Sequence, residues 1–183
     1  FGWRASLDVG GGGPWSMADG LEDLARGDVL AHLLAKDSSQ PQDEPLIAAN
    51  IHEQLQHMGL STWSISVLRR LRDAVGRLAP ERILEVGASI GHRTAWLLDD
   101  FERKERTPSA LTLVEQGGKF GVILQRLLQR YEALTWASVV VGEPEQLAAE
   151  HQAWALASAT GSELSNTPFE SGYDVVVVDG PSP

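Results

Sequence analysis

The sequence predicts an α/β fold built on a parallel sheet. From residue 82 onward, short apolar segments of strand length alternate with segments of helical periodicity. A glycine-containing turn follows the first of these strands, and acidic residues follow the strands. Alternation of strands and helices gives parallel pairing through right-handed crossover connections. Residues before 80 show helical spacing, so we expect helices to precede the sheet.

Three helices are predicted in this N-terminal segment, over 21–35, 46–58 and about 61–80. Apolar residues recur in them at helical spacing. The third helix can be capped by Ser61 or Thr62, since a hydroxyl before a helix accepts a hydrogen bond from a free backbone N–H. Its arginines are interpreted as a solvated helix face: Arg69, Arg70, Arg72 and Arg77.

The segments after this helix give four strands, at 83–86, 111–115, 137–141 and 173–179, separated by helices over 92–101, 122–131 and 145–159. The last strand contains four consecutive valines and has no polar face, so we expect it to lie beside the first strand and to be covered on both sides. An uncovered apolar edge promotes aggregation. We therefore expect the chain to be incomplete at its C-terminus, or the edge to be paired by another chain, and favour the first.

Composition limits the function. The chain has 183 residues, which favours one domain, and no cysteine, which excludes disulfides and thiolate metal sites. The net charge of −10 argues against nucleic acid as the main partner. No apolar run reaches the roughly 20 residues of a membrane span, and no signal peptide opens the chain. A soluble, cytoplasmic protein is the default expectation.

The domain organisation is predicted in three parts. Residues 1–16, which include four consecutive glycines, are interpreted as a tag, linker or upstream read-through. Residues 17–80 form a helical segment, and residues 81–183 form a partial Rossmann-like domain. The sequence is also compatible with formation of a homodimer.

The turn after the first strand is the feature most informative about function. It contains Gly87, Ser89 and Gly91 and leads into a helix. Glycines let the backbone approach a ligand, and a helix N-terminus favours an anion. A dinucleotide loop would need glycine at position 89. A hydrolase elbow, Gly-x-Ser-x-Gly, is matched by the letters, but the preceding segments are helical and no histidine follows Asp174 or Asp179.

The remaining interpretation of this turn is binding of S-adenosylmethionine (SAM), which has no pyrophosphate and needs fewer glycines. Glu85, at the end of the first strand, can lie beside the ammonium group of SAM. Glu115 lies at the end of the second strand, where dinucleotide-binding folds have the acid that binds the ribose hydroxyls. Glu143 after the third strand is suited to the adenine amino group. Asp179 after the fourth strand reaches the same crevice, since ligands bind beyond the carboxyl ends of parallel strands.

Four successive stretches carry a family resemblance: ILEVGASIGHRTAWLL, LTLVEQ, VVVGEPEQL and YDVVVVDG. Their sequence resembles that of class I SAM-dependent methyltransferases, and among these most the catechol and caffeoyl-CoA type O-methyltransferases. The similarity covers about residues 58–180. It implies a Rossmann-like doubly wound parallel sheet, missing its last strands, and methyl transfer to the hydroxyl of a small-molecule acceptor.

The resemblance also implies residue roles. Glu115 would hold the ribose, and Asp179 would bind a divalent metal such as Mg²⁺ and lie near the methyl donor as the catalytic residue. The family's other metal ligands form an Asp-Asn type pair downstream, which this sequence does not contain. Glu143 stands where the family more often has aspartate. The alternatives are a nucleotide-dependent oxidoreductase of NAD(P) type and a non-catalytic Rossmann-like interaction module.

The histidines show no ligand spacing along the chain and are interpreted as surface or packing residues. A contact at the cofactor edge is the alternative for His92, which follows the glycine turn. The set is His32, His52, His57, His92 and His151.

Overall fold

The computed structural model describes residues 26–159 and 172–179. The expectations for residues 1–16 and for most of the loop over 161–172 lie outside them. Three helices come first in the described part of the chain: α1 (Arg26–Leu33), α2 (Leu46–His57) and α3 (Ile65–Leu78). The remaining elements follow in chain order: β1 (Arg82–Val86), α4 (His92–Arg103), β2 (Ala110–Glu115), α5 (Gly118–Arg130), a 3-10 turn (Ala133–Thr135), β3 (Ala137–Val141), α6 (Pro144–Ala159) and β4 (Val175–Val178).

The four strands form one parallel sheet in the order β3-β2-β1-β4. Val86, the last residue of β1, is in register with Val114 and Val178 of its two neighbours. The carboxyl ends of these three strands therefore lie level at one edge of the sheet. The predicted α/β class, the preceding helices and the place of β4 beside β1 are confirmed.

The two faces of β4 differ in burial. Val177 is 4% exposed, whereas Val176 is 48% and Val178 is 58% exposed. Successive side chains of a strand point to opposite faces, and only the face of Val177 packs into the main core. The expected coverage on both sides is not met within residues 26–159 and 172–179.

One apolar core joins the N-terminal helices to the sheet. Leu55 of α2 and Leu68 of α3 pack in the same cluster as Trp96 of α4 and Leu113 of β2. Trp96 is fully buried. The helices before the sheet therefore pack, together with α4, on the apolar core at one face of the sheet. None of the helices in the described residues is long and apolar enough to cross a membrane.

The arginines of α3 do not form a purely solvated face. Arg72 is 3% exposed, and its Nη1 donates to the carbonyl oxygen of Pro41 at 2.8 Å. Arg77 donates to the carbonyl oxygens of Leu33 and Ala35 at 2.7 and 2.8 Å. The interpretation was wrong for these two residues, because unpaired backbone carbonyls between α1 and α2 provide acceptors that helical spacing does not reveal.

The predicted cap of α3 is also wrong. The N-cap residue is Ser64, and its side chain makes no capping hydrogen bond. The hydroxyl of Thr62 lies instead 2.7 Å from Nδ1 of His92, a residue thirty positions further along the chain. A tertiary contact has taken the hydroxyl that local sequence assigned to the helix end.

Candidate functional site

The turn between β1 and α4 is held in a left-handed conformation. Gly87 has φ +75°, Gly91 has φ +89°, and Ser89 has φ +54°. A Cβ on Gly87 would lie 1.9 Å from the carbonyl oxygen of Asp179, and one on Gly91 would lie 2.4 Å from Cδ2 of Leu127. Both glycines are therefore required by close packing, in addition to their backbone conformation.

Glu115 lies against this turn. Its Oε2 accepts a hydrogen bond from the backbone N–H of Ser89 at 2.7 Å, and its Oε1 accepts one from the N–H of Gly117 at 2.9 Å. The side chain is 8% exposed. The structure thus brings the acid at the end of β2 and the glycine turn into direct contact at one place.

A second acid, Glu85, lies below the turn and is fully buried. Its carboxylate accepts hydrogen bonds from Nε of Arg93 at 3.2 Å and from Oγ1 of Thr94 at 2.8 Å. Arg93 also donates to the carbonyl oxygen of Gly87 at 2.5 Å and to Oδ2 of Asp179. Burial raises the pKa of Glu85, while the Arg93 guanidinium acts in the opposite direction. We call Glu85, Arg93 and Asp179 the carboxyl-edge cluster.

Arg93 is a residue that the sequence analysis did not assign to the site. Its side chain is 5% exposed, and its guanidinium stacks 4.7 Å from the centre of the Trp63 ring. Buried carboxylates need a countercharge, so the acids at the ends of β1 and β4 were the signal for a basic partner. Arg93 is the second residue of α4, directly after the glycine turn.

Glu143 lies at the same edge of the sheet but outside the contacts around the turn. The N–H of Gly142 donates to the carbonyl oxygen of Glu115 at 3.0 Å, which fixes the chain there. The Glu143 side chain is exposed and accepts a hydrogen bond from Nε2 of Gln116.

The carboxylate of Asp179 is 41% exposed and is paired with Arg93. Among the described residues it belongs to no group of three His, Asp or Glu side chains able to hold a metal ion. The described residues around Asp179 therefore do not form a metal site by themselves. The metal assignment of Asp179 stays a prediction.

Ser89 does not have the surroundings of a nucleophile. In the part of the chain that the structure describes, no hydrogen bond joins its hydroxyl to a histidine ring. The nearest histidine along the chain, His92, has both ring nitrogens engaged by Thr62 and Glu44. The hydrolase interpretation has no support from this geometry, because a serine nucleophile needs a base within hydrogen-bond reach.

A separate group of polar residues lies on the other side of the α4 N-terminus. Nε2 of His92 is 2.6 Å from Oε1 of Glu44, and Nδ1 of His52 is 3.3 Å from Oε2 of the same carboxylate. The two imidazole rings are 4.9 Å apart. We call Glu44, His52 and His92 the imidazole cluster. His92 is buried and His52 is partly exposed, in keeping with packing and surface positions, but spacing along the chain did not reveal that both rings meet Glu44.

Within the imidazole cluster, the pKa values of His92 and Glu44 are both lowered, but by different causes. Burial lowers the pKa of His92, whose side chain is 2% exposed. Burial alone would raise the pKa of Glu44, but hydrogen bonds from the His92 and His52 rings hold that pKa below its ordinary value. Near neutral pH, the His92 imidazole is therefore neutral and the Glu44 carboxylate is ionised.

Two surface cavities lie away from the carboxyl edge. One of about 180 Å³ is lined by residues that include Phe101 and Trp136, and one of about 400 Å³ by residues that include Val122 and Leu134. Neither is lined by Glu85, Arg93 or Glu115.

Solved structures with the same architecture are methyltransferases. An O-methyltransferase from Streptomyces achromogenes in complex with SAM aligns over 78% of this chain and 57% of its own, with 18% identity and a TM-score of 0.52. The fold is that of the class I methyltransferases. A methyltransferase from Podospora anserina bound to S-adenosylhomocysteine (SAH) aligns over 94% of this chain and 62% of its own, with 14% identity and a TM-score of 0.52.

An O-methyltransferase from Bacillus cereus in complex with SAH matches the methyltransferase fold of this chain as well, with 17% identity and a TM-score of 0.50 over 83% of this chain and 59% of its own. The chain spans about three-fifths of the length of these structures. No protein-family model matches the sequence, and no curated protein sequence matches it significantly.

Proposed function

We propose that the chain binds SAM at the carboxyl edge of its sheet and is the cofactor-binding part of an O-methyltransferase for a small-molecule acceptor. The observation that carries the proposal is the 2.7 Å hydrogen bond from the Ser89 N–H to Glu115, in a methyltransferase fold. A buried acid in contact with the glycine turn supports the assignment of Glu115 to the ribose of an adenosyl cofactor.

Three polar parts of SAM have candidate partners at this edge. Glu115 is suited to the ribose hydroxyls, because a carboxylate has lone pairs beyond the two that accept N–H groups here. The methionine carboxylate is suited to the first amides of α4, which have no acceptor inside the helix, and to the guanidinium of Arg93. Glu143 remains the candidate for the adenine amino group.

Glu85 is assigned a different role from the one expected at the sequence level. Both of its carboxylate oxygens accept hydrogen bonds from side chains, and the residue is fully buried. We assign it to positioning Arg93. This leaves Glu85 acting on the cofactor through Arg93.

The proposed reaction is an in-line displacement. The acceptor oxygen attacks the methyl carbon, the C–S bond breaks, its electron pair stays on sulfur to give SAH, and the acceptor proton passes to a base or to solvent. The sulfonium supplies the reactivity, and the protein contributes orientation and electrostatics. Asp179 is proposed to face the reacting groups. No step depends on a metal.

Calorimetric titration of the chain with SAM, SAH and NAD⁺ tests the binding site. We expect SAM and SAH to bind and NAD⁺ not to bind. Glu115→Ala should weaken SAM binding roughly 10- to 100-fold, as expected for loss of hydrogen bonds to a charged group. Glu53→Ala, at an exposed glutamate on α2, is the matched control, and circular dichroism checks folding of both variants.

The other outcomes select the alternatives. Binding of NAD⁺ in preference to SAM would favour an oxidoreductase, and binding of neither would favour an interaction module. In an active protein that contains this chain, Asp179→Ala should lower kcat more than it weakens SAM binding. Glu115→Ala should weaken SAM binding more than it lowers kcat. Equal and negligible effects of both substitutions would refute the assigned roles.

A further inference from the structure

The imidazole cluster joins three separate segments at one point. Glu44 lies in the loop before α2, His52 lies within α2, and His92 begins α4. Their ligand atoms all lie within 4.8 Å of one another, and no other group of three such side chains occurs among residues 26–159 and 172–179. The two rings approach different oxygens of one carboxylate.

The donor set is chemically selective. Two imidazole nitrogens and one carboxylate oxygen are the ligands of Zn²⁺ and other late first-row divalent ions, whereas Mg²⁺ and Ca²⁺ prefer oxygen alone. At Zn–N and Zn–O lengths near 2.1 Å, two ligands of a tetrahedral ion lie roughly 3.4 Å apart. The 3.3 Å between Nδ1 of His52 and Oε2 of Glu44 is close to that separation. The 2.6 Å between Nε2 of His92 and Oε1 of Glu44 is a hydrogen-bond distance, which has to lengthen when an ion enters.

The surroundings also orient the buried ring. Oγ1 of Thr62 is 2.7 Å from Nδ1 of His92, and Oε1 of Glu44 is 2.6 Å from Nε2. Without an ion, Nε2–H donates to Glu44 and Nδ1 accepts from the Thr62 hydroxyl. With an ion on Nε2, the proton lies on Nδ1 and donates to that hydroxyl. A histidine that binds a metal commonly donates its other ring N–H in this way, which fixes the tautomer. The side chains of His52 and Glu44 are 24% and 13% exposed, which gives an ion a path from solvent.

We propose that Glu44, His52 and His92 form a binding site for a divalent transition metal of the zinc class. The ion completes its coordination with water and ties the loop before α2 to the first residue of α4, next to the glycine turn. The site is independent of the proposed SAM site. Its effect is to stabilise the N-terminal helices on the α/β core, because an ion that binds only the folded state raises folding stability.

The test uses the full chain, freed of metal with a chelator and titrated with Zn²⁺ by calorimetry and with Co²⁺ by absorbance. We expect one ion per chain, a Co²⁺ spectrum typical of tetrahedral coordination, and a rise in Tm on adding Zn²⁺. Mg²⁺ should produce none of these. Absence of stoichiometric Zn²⁺ binding, or binding of Mg²⁺ in its place, would overturn the proposal.

Variants locate the ion. His52→Ala and Glu44→Gln change partly exposed residues and should abolish the Zn²⁺-dependent rise in Tm, while Thr62→Val should weaken binding about 10- to 100-fold. His57→Ala, at an exposed histidine on the same helix, is the matched control and should bind as the parent chain does. Unchanged binding by His52→Ala and Glu44→Gln, or equal loss in His57→Ala, would show that the ion lies elsewhere.

Discussion

Two consecutive residues at the start of α4 enter two different polar clusters. Arg93 joins the carboxyl-edge cluster, where it binds acids at the ends of β1 and β4. His92 joins the imidazole cluster, where it meets Glu44 and His52 from the N-terminal segment. The first cluster is assembled by strand register, and the second by the packing of helices and a loop against α4.

The difference shows how closely each cluster is tied to the sheet. Parallel strands in register bring their carboxyl ends to one edge, so the acids there meet wherever the sheet forms. Glu44, His52 and His92 meet only if α2 docks on α4 at the observed position. We therefore expect the carboxyl-edge cluster to contribute more to the stability of the metal-free chain than the imidazole cluster.

The largest effect is expected for Glu85→Ala. Removing the buried carboxylate leaves Nε of Arg93 and Oγ1 of Thr94 without their acceptor, and breaking a buried ion pair costs about 3–5 kcal/mol. Urea unfolding followed by circular dichroism measures the loss. Glu102→Ala, at an exposed position of the same helix, should change the free energy of unfolding by less than about 0.5 kcal/mol. A loss below about 1 kcal/mol for Glu85→Ala would contradict the buried-pair interpretation.

Gly87→Ala should destabilise by about 2–4 kcal/mol, which sums the strain of a left-handed backbone and the overpacking of a close contact. The new Cβ would meet the Asp179 carbonyl oxygen at 1.9 Å, so β4 has to move. Gly118→Ala is the control, because nothing lies within 4 Å of a Cβ there. Similar unfolding midpoints for the two variants would argue against the close approach.

A smaller effect is expected in the imidazole cluster. Thr62→Val in a metal-free buffer removes the hydrogen bond to His92 and should cost about 1 kcal/mol. Thr107→Val, at an exposed threonine, should have no measurable effect. An equal loss of stability in Thr62→Val and Glu85→Ala would contradict the expectation that the carboxyl-edge cluster stabilises the metal-free chain more than the imidazole cluster does.

The smallest effect is expected at the exposed rim. Gln116→Ala removes the hydrogen bond to Glu143 between two exposed side chains, and should change the free energy of unfolding by less than about 0.5 kcal/mol. Gln125→Ala on α5 is the matched control. A loss of unfolding free energy above about 1 kcal/mol would show that the contacts of Glu143 contribute to the stability of the carboxyl-edge cluster.

The sequence predicted one half of the candidate site better than the other. Glu115 and the glycine turn were placed together from their positions at adjacent strand ends, and they are in contact. Arg93 was missed because its role depends on which way a helical side chain turns. Thr62 was assigned to a helix cap because local spacing gave no sign of a partner thirty residues away.

The amino-acid sequence by itself determined the parallel α/β sheet, the order of its elements and the acids at its carboxyl edge. Hydrophobic periodicity and strand ends are local properties, and they follow from a few neighbouring residues. Only the tertiary structure decided that Arg93 pairs with Glu85 and Asp179 and that Glu44, His52 and His92 meet. Such contacts depend on how whole elements pack, because a side chain's partners across the core are not encoded by its spacing along the chain.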